Sequence, residues 1–294
     1  MLTIFSTPKA FAGHFGVIQR NAIRSWTMVE PRPEIILFGS DNGTAEVCTE
    51  LRLHHVSDVA TSGRVPIISD MFLRAQQLAS NDVLTFVNAD IILLPGFIEM
   101  VRSVQQGASP FLAAGRRIDV TQRELVDFDH PTWAAELISK CRSEGELTPA
   151  NWIDHFTFPR NLYPEIPPFA IGRSGYDNWL LWKAEDLGAR LIDVTRFCSV
   201  VHQRHDYSHG NGAAAVFGGA DAQRASELVG HWSRYYSVAH ARWMMTHDGA
   251  IVPARGMAYR LARPRRAAAH ALRFTVPLRR RLTNMRLSRR LEQA

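Results

Sequence analysis

Short apolar runs alternate with amphipathic stretches along residues 1–200. Compact apolar runs at 2–6, 34–40 and 82–94 predict strands, whereas residues 14–29 place apolar side chains on one helical face. Strands that alternate with helices in this way predict an α/β fold with a largely parallel sheet. The same pattern also indicates where each predicted strand ends, and therefore where a polar side chain can lie outside the core.

Two polar residues, Asn88 and Asp90, interrupt the apolar strand predicted at 82–94. In open α/β sheets, ligands bind in the crevice outside the carboxyl ends of the strands. The run of buried residues ends near Asn88, so Asp90 is expected to face a binding site. A carboxylate that only turns the chain before Pro95 is the alternative that the sequence leaves open.

Histidines follow a later predicted strand, in the segment VHQRHDYSH at 201–209. Metal-assisted phosphate chemistry needs hard ligands such as carboxylates, and a histidine nitrogen at a strand end suits Mn²⁺. Asp90 is the first predicted ligand, and the second is expected among His202, His205, Asp206 and His209. His202 lies nearest the predicted sheet. Each histidine taken alone is equally consistent with a surface or hydrogen-bonding role.

A third candidate, Asp177, lies at the predicted start of a helix. The helix N-terminus would stabilise its carboxylate and aim it rigidly, as a general base requires. Ser174 and Asp177 also match the capping-box spacing, so a purely structural role is the alternative. Gly172, next to Arg173, permits close approach of the backbone to a phosphate, with which the guanidinium can pair.

The segments VNADIIL (87–93), PPFAIGRSGYDNWLL (167–181) and VHQRHDYSH (201–209) resemble glycosyltransferases of the GT-A fold. More closely, they resemble a family of nucleotide-diphospho-sugar transferase domains, over about residues 1–240. The resemblance implies a mixed, mostly parallel central sheet. It also implies that Asn88, Ala89 and Asp90 form the acidic metal and diphosphate motif, with Asn88 in place of the usual first aspartate.

The resemblance further implies that Gly172 and Arg173 lie in the glycine loop near the donor. Asp177 would deprotonate the acceptor hydroxyl, as in inverting enzymes, and His202 would contact the metal or the diphosphate. Nucleotide contacts are implied near the ends of the first two strands, at Ser6, Thr7, Pro8, Asp41 and Arg64.

The implied function is transfer of a sugar from a nucleotide-diphosphate donor to a carbohydrate or glycolipid hydroxyl, with Mn²⁺ or Mg²⁺. Inversion of the anomeric centre is expected, and retention stays open as the alternative. Two alternative functions stay open. A nucleotidyltransferase is disfavoured because no GxGxR loop follows the first strand. A nucleotide-sugar-binding module without catalysis is favoured only by Asn88, which removes one acid from the motif.

Charge divides the chain into two parts. Residues 1–250 carry 22 Lys and Arg against 27 Asp and Glu, whereas residues 251–294 carry 12 Arg against one Glu. We therefore predict a GT-A-like domain at 1–250 and an Arg-rich amphipathic tail at 251–294. Arginine mixed with apolar residues is typical of helices that lie on anionic lipid. A solvated tail, an acidic partner and, as an unlikely case, nucleic acid are the alternatives.

No apolar run is long enough to span a membrane, and the first strand lacks a preceding basic region. These features lead us to expect a cytoplasmic protein, attached peripherally to the inner face of the membrane through its tail.

Overall fold

The computed structural model describes residues 1–107, 109–173, 175–197, 200–205 and 219–269. The helices are α1 (Gly13–Thr27), α2 (Thr44–Leu51), α3 (Ile68–Leu78), α4 (Phe97–Gln105), α5 (Trp133–Glu144), α6 (Tyr176–Asp186) and α7 (Ala220–Val229), with 3-10 turns at Trp232–Arg234 and Val238–His240 and a helical stretch at 257–269. The strands are β1 (Leu2–Ser6), β2 (Glu34–Phe38), β3 (His54–Val56), β4 (Thr61–Ser62), β5 (Val65–Pro66), β6 (Val83–Val87), β7 (Ile91–Leu93), β8 (Phe111–Ala114), β9 (Arg117–Val120), β10 (Glu146–Leu147), β11 (His155–Pro159), β12 (Arg190–Asp193), β13 (Val200–Gln203), β14 (Trp243–Met245) and β15 (Ile251–Pro253).

The central sheet has nine strands in the order β15-β14-β12-β8-β11-β6-β1-β2-β3. Its parallel pairs are β1 with β2 and β6, β2 with β3, and β12 with β8 and β14. Only β11 and β15 run antiparallel to their neighbours in this sheet. The predicted α/β fold with a mixed, mostly parallel central sheet is therefore confirmed.

Successive side chains of β1 enter different cores, as the pleat of a strand requires. Phe5 joins a cluster that contains α3 and α6 residues, and its ring centroid lies 5.0 Å from that of Phe72. Ile4 joins the opposite cluster, where Trp26 of α1 is fully buried. Both faces of the sheet are thus covered, which explains why its strands read as continuous apolar runs.

The strand predicted at 82–94 is two strands that belong to different sheets. β6 lies in the central sheet, whereas β7 pairs antiparallel with β13 in a second sheet of order β10-β9-β13-β7. A turn closed by a hydrogen bond from Ile91 N to Asn88 O (3.1 Å) separates them. Residues 111–120 divide in the same way, into β8 and β9. β6 and β7 are both largely apolar and β8 is wholly so, so the apolar pattern alone does not show that the chain changes sheet after Val87 and after Ala114.

The described part of the basic tail packs on the sheet. β15 pairs with β14, so the predicted boundary between 250 and 251 falls within a hairpin. In the helical stretch at 257–269, Ala262 and Ala269 are buried, and Tyr259 Oη donates to Asp193 Oδ2 (2.8 Å). Residues 270–294, which complete the predicted amphipathic tail, lie outside the described residues. No helix in the described ranges is long and apolar enough to cross a membrane.

Candidate functional site

Asp90 lies in the turn where the chain leaves the central sheet for the second one. Buried polar groups hold this turn: Gln203 Nε2 donates to Asp90 O (3.0 Å), and Asn21 Nδ2 donates to Gln203 Oε1 (2.9 Å). Trp26 Nε1 also donates to the carbonyl of Ile91 (2.9 Å). Because each donor and acceptor is buried, loss of any one would leave a polar group unpaired. The position of Asp90 is therefore fixed by the fold.

Two histidines approach the Asp90 carboxylate. The pairing of β7 with β13 sets Ile91 opposite His202, and His202 Nε2 lies 3.7 Å from Asp90 Oδ2. His205 Nε2 lies 3.1 Å from the same oxygen. One ligand atom from each of these three residues lies within 4.8 Å of the other two. Asp206 and His209, the other ligands considered from sequence, lie outside the described residues.

These three side chains suit a divalent ion. Asp90 Oδ1 is buried and has no hydrogen-bond partner among the described residues, so this oxygen is available to coordinate an ion. One carboxylate with two imidazole nitrogens is a donor set that Mn²⁺ accepts, and it leaves positions for phosphate oxygens and water. The residues present therefore fit the ion that the sequence leads us to expect.

An outer layer of charged side chains surrounds this cluster. Asp119 Oδ1 lies 3.1 Å from His202 Nδ1 and accepts from Arg117 Nε (2.9 Å). Arg117 also pairs with Asp154, whose Oδ1 accepts from Asn88 Nδ2 (2.6 Å). An aspartate at position 88 would place two carboxylates against each other, which explains why this chain accommodates an asparagine there.

The charges in this cluster set the ionisation of its acids. Burial alone raises the pKa of the Asp90 carboxyl, but His202, His205 and Arg117 together hold that pKa well below its usual range. Burial likewise opposes ionisation of Asp119, while His202 and Arg117 lower its pKa overall. Both carboxylates are therefore anionic at neutral pH, the form that attracts a cation.

A cavity of about 460 Å³ opens beside Asp90 and contains most of the predicted site. The predicted residues that line it are Thr7, Pro8, Asp41, Arg64, Asn88, Ala89, Asp90, Gly172, Arg173 and His202. The sequence did not single out Lys9, Phe15, Gln19 or Arg117, which also line it. A second cavity of about 550 Å³ adjoins the first and shares Asp41, Arg64 and Pro66 with it.

Ser6 and Asp177 are the predicted residues that do not line this cavity. Ser6 is fully buried and its hydroxyl donates to Val87 O (2.6 Å), so the side chain is committed to the sheet. Asp177 lies in the first turn of α6, next to Tyr176. The Tyr176 hydroxyl lies 3.5 Å from Asn88 Oδ1, which brings the start of α6 to the edge of the cavity.

The surroundings of Asp177 raise its pKa. Helix α6 begins at Tyr176 with Gly175 as its N-cap, without a side-chain cap. Asp177 is thus the second helical residue, one place earlier than the capping-box alternative requires, and Ser174 lies outside the described residues. Burial raises the pKa of Asp177 to about 7, although backbone N–H groups of this first turn oppose the change. A carboxyl with such a pKa exchanges a proton near neutral pH, as general acid–base chemistry requires.

Lys9 lines the same cavity as Asp90, His202 and His205, and its backbone is held in place by a side chain. Lys9 N donates to Gln19 Oε1 (2.6 Å), and Gln19 Nε2 donates back to Lys9 O (2.9 Å). Burial lowers the pKa of the Lys9 ammonium, partly offset by Asp90. The one sequence signal for Lys9 was its place three residues after the end of β1. For Arg117 the sequence offers a charged residue in the largely apolar segment FLAAGRRIDV at 111–120.

The chain is similar to three solved structures, each at low sequence identity. The mannosyltransferase PcManGT from Pyrobaculum calidifontis, in complex with GDP-Man and Mn²⁺, is 15% identical, with a TM-score of 0.43 over 71% of this chain and 59% of that one. Glucosyl-3-phosphoglycerate synthase from Mycobacterium tuberculosis, in complex with Mn²⁺, UDP and glucosyl-3-phosphoglycerate, is 16% identical, with a TM-score of 0.47 over 80% of each chain. TarS 1-349 from S. aureus is 13% identical, with a TM-score of 0.47 over 69% of this chain and 60% of that one.

No family model matches the chain, and no curated protein matches it. The function is therefore argued from the residues of the site.

Proposed function

We propose that the protein is a metal-dependent glycosyltransferase that moves a sugar from a nucleotide-diphosphate donor to an acceptor hydroxyl. The observation that carries this proposal is the meeting of Asp90, His202 and His205 beside one cavity, with their ligand atoms within 4.8 Å of one another. These residues come from the turn after β6 and from the end of β13, where an α/β sheet binds its ligands.

The charges that line the cavity suit a diphosphate. Four cationic residues line it against two acids, the cations being Lys9, Arg64, Arg117 and Arg173 and the acids Asp41 and Asp90. Asp90, His202 and His205 would hold Mn²⁺ or Mg²⁺, and the ion supplies positive charge that stabilises the departing phosphate. A guanidinium group can donate two parallel hydrogen bonds to the oxygens of one phosphate, so Arg64 and Arg173 would orient the donor.

The nucleoside of the donor would bind in the second, adjoining cavity. Asp41 and Arg64 line both cavities, so a diphosphate in the first directs its nucleoside into the second. Thr7 and Pro8 follow β1 directly and line the first cavity. The donor thus spans the ends of β1 and β2, where the sequence predicts nucleotide contacts.

Asp177 is the proposed base. Its carboxylate is fixed at the start of α6 and takes the proton from the acceptor hydroxyl as the oxygen attacks the sugar. Attack from the face opposite the leaving nucleotide inverts the anomeric centre. Because burial raises its pKa to about 7, Asp177 binds that proton more readily than an ordinary aspartate does.

Thermal unfolding with nucleotide-sugars tests this function. One donor is expected to raise Tm more with Mn²⁺ than without it, because the ion would strengthen binding of the donor diphosphate. A ligand present at 100 times its Kd stabilises the fold by about 2.7 kcal/mol. The best donor is then incubated with carbohydrate acceptors, and release of the nucleoside diphosphate is measured. No stabilisation by any nucleotide-sugar would refute the proposal. Binding of a nucleotide-sugar without release of the nucleoside diphosphate would instead identify a nucleotide-sugar-binding module. Release of inorganic diphosphate from nucleoside triphosphates would identify a nucleotidyltransferase.

We also propose that the acceptor is a carbohydrate or glycolipid reached at an anionic membrane through residues 251–294. The exposed side chains of Met257 and Leu261, 69% and 73% accessible, lie one turn apart in the helical stretch at 257–269. Arg260 and Arg263, both exposed, flank them. Apolar side chains beside arginine suit the headgroup layer, and each arginine near such a surface contributes about 1 kcal/mol.

Sedimentation with lipid vesicles checks this attachment. We expect binding to phosphatidylglycerol vesicles that falls with added salt and weakens in the Met257→Ser/Leu261→Ser variant. Leu125→Ser is the matched control, because Leu125 is 62% exposed on the body of the protein. Equal binding to neutral phosphatidylcholine vesicles, or equal losses in both variants, would contradict it.

A further inference from the structure

Asp119 and His202 are neighbours across the second sheet. β9 runs parallel to β13, and their register sets Asp119 opposite His202. Asp119 Oδ1 lies 3.1 Å from His202 Nδ1, and the two side chains are only 15% and 9% exposed. The other ring nitrogen, Nε2, points to Asp90 Oδ2 at 3.7 Å. The imidazole thus lies between two carboxylates, one for each nitrogen.

We propose that Asp119 is a positioning residue that prepares His202 to bind the metal ion. This inference rests on the proposed function, because it concerns the same metal site. The charge of Asp119, at ion-pair distance from Nδ1 but not in an aligned hydrogen bond with it, favours the ring proton on that nitrogen. This tautomer leaves the lone pair of Nε2 for the ion. Asp119 also fixes the rotation of the ring, so the ion meets a ligand that is already oriented.

Arg117 keeps Asp119 in this role. Its Nε donates to Asp119 Oδ1 (2.9 Å), the same oxygen that faces His202, while another of its nitrogens pairs with Asp154. The Arg117 side chain is 12% exposed, so both partners hold it in a nearly closed environment. Anchored from two sides, the guanidinium keeps the Asp119 carboxylate ionised and turned to the ring. Asp119 does not itself line the cavity.

Calorimetric titration of Mn²⁺ into the full-length, metal-free protein tests the inference. Asp119→Ala is expected to weaken Mn²⁺ binding by about 10- to 100-fold, the usual effect of removing a partner of a metal-ligating histidine. Asp119→Asn retains an oxygen for the Nδ1 proton but loses the charge, so its Kd should fall between those of wild type and Asp119→Ala. The matched control is Glu146→Gln, because Glu146 is the register partner of Asp119 on β10 but is 81% exposed and pairs with Arg204.

The ring itself gives a second readout that needs no metal and no activity. ¹⁵N shifts of His202, recorded at a pH that leaves the ring neutral, should show a proton on Nδ1 in wild type and in Glu146→Gln. In Asp119→Ala the two tautomers should mix. A purely structural Asp119 would change Tm without changing the tautomer. If Asp119→Ala fails to fold, the weakened Mn²⁺ binding expected of Asp119→Asn carries the test, and Mn²⁺ affinity unchanged in Asp119→Asn would overturn the inference.

Two results separate the failure of this inference from that of the proposed function. Mn²⁺ binding that is strong in wild type and unchanged in both Asp119 variants overturns the role of Asp119 and leaves the metal site intact. A wild-type protein that binds no Mn²⁺ refutes the metal-dependent function, and the tautomer of His202 still decides whether Asp119 orients the ring. Wild-type His202 with its proton on Nε2 would overturn the inference in either case.

Discussion

Replacing Asp177 with asparagine is expected to lower kcat for sugar transfer by about 100- to 10,000-fold, the usual contribution of a general base. Donor affinity should stay within about 3-fold of wild type, because Asp177 does not line the donor cavity. Initial rates at saturating donor, with calorimetric titration of the same donor, measure both quantities. The matched control is Asp186→Asn, which removes a carboxylate at the other end of α6 that pairs with Lys183.

The pH dependence of the reaction gives an independent signature of Asp177. Its pKa is raised to about 7, so the ionised base accumulates only as the pH rises through that value, and kcat should increase over the same interval. A profile that is flat around pH 7 in wild type, or a rising limb that persists in Asp177→Asn, would show that another group is the base.

The same raised pKa separates loss of catalysis from loss of fold. A carboxyl whose pKa is raised by folding contributes stability that is fully present below its ordinary pKa of 3.8 and is lost as the pH rises from there to about 7. Asparagine cannot ionise, so Asp177→Asn should unfold at a higher temperature than wild type above that pH. An inactive variant with a lowered Tm there would point to a structural Asp177 instead.

Replacing Asp90 with asparagine is expected to weaken Mn²⁺ binding by more than about 100-fold, since loss of an outer partner alone costs up to that factor. Asparagine keeps the size of the side chain but removes the anion to which both histidines point. Nucleoside diphosphate should then bind equally with and without Mn²⁺, held by the cationic side chains of the cavity. Calorimetric titration in the presence and absence of the ion measures this change.

The control for Asp90→Asn is Asp129→Asn, which removes an exposed acid that pairs with Arg24. It should leave Mn²⁺ affinity unchanged, because Asp129 takes no part in the cluster. Asp90→Asn should also lower Tm at neutral pH. A carboxyl whose pKa is lowered by folding contributes stability above its unfolded pKa, and Asn removes that contribution. An Asp90→Asn protein that retains full Mn²⁺-dependent nucleotide binding would exclude this residue as a ligand.

The sequence could indicate a candidate site because strand ends are a local signal. Asn88 marks the end of β6, and His202 lies in an apolar strand that leads to a polar segment, so both were expected at the edge of a sheet. Asp90 and His202 lie 3.7 Å apart, and the antiparallel pairing of β7 with β13 is the physical reason.

The outer charges could not be predicted in this way. Asp119 meets His202 only because β9 and β13 are adjacent, and Asp154 meets Asn88 because β11 lies beside β6. Such pairings join residues distant in the chain, and no spacing in the sequence records them. Ser6 illustrates the converse, because its place at the end of β1 indicated a ligand contact, whereas its hydroxyl donates to Val87 O within the sheet.

Locating Mn²⁺ on the wild-type protein shows whether one metal ion is held beside the donor cavity by Asp90, His202 and His205. Paramagnetic Mn²⁺ broadens the NMR signals of nearby nuclei, so substoichiometric ion is added to the protein with nucleoside diphosphate while the histidine ring protons are observed. We expect the signals of His202 and His205 to broaden first and those of His54 and His130 to stay sharp. Preferential broadening of His54 or His130, with His202 and His205 unaffected, would contradict this expectation.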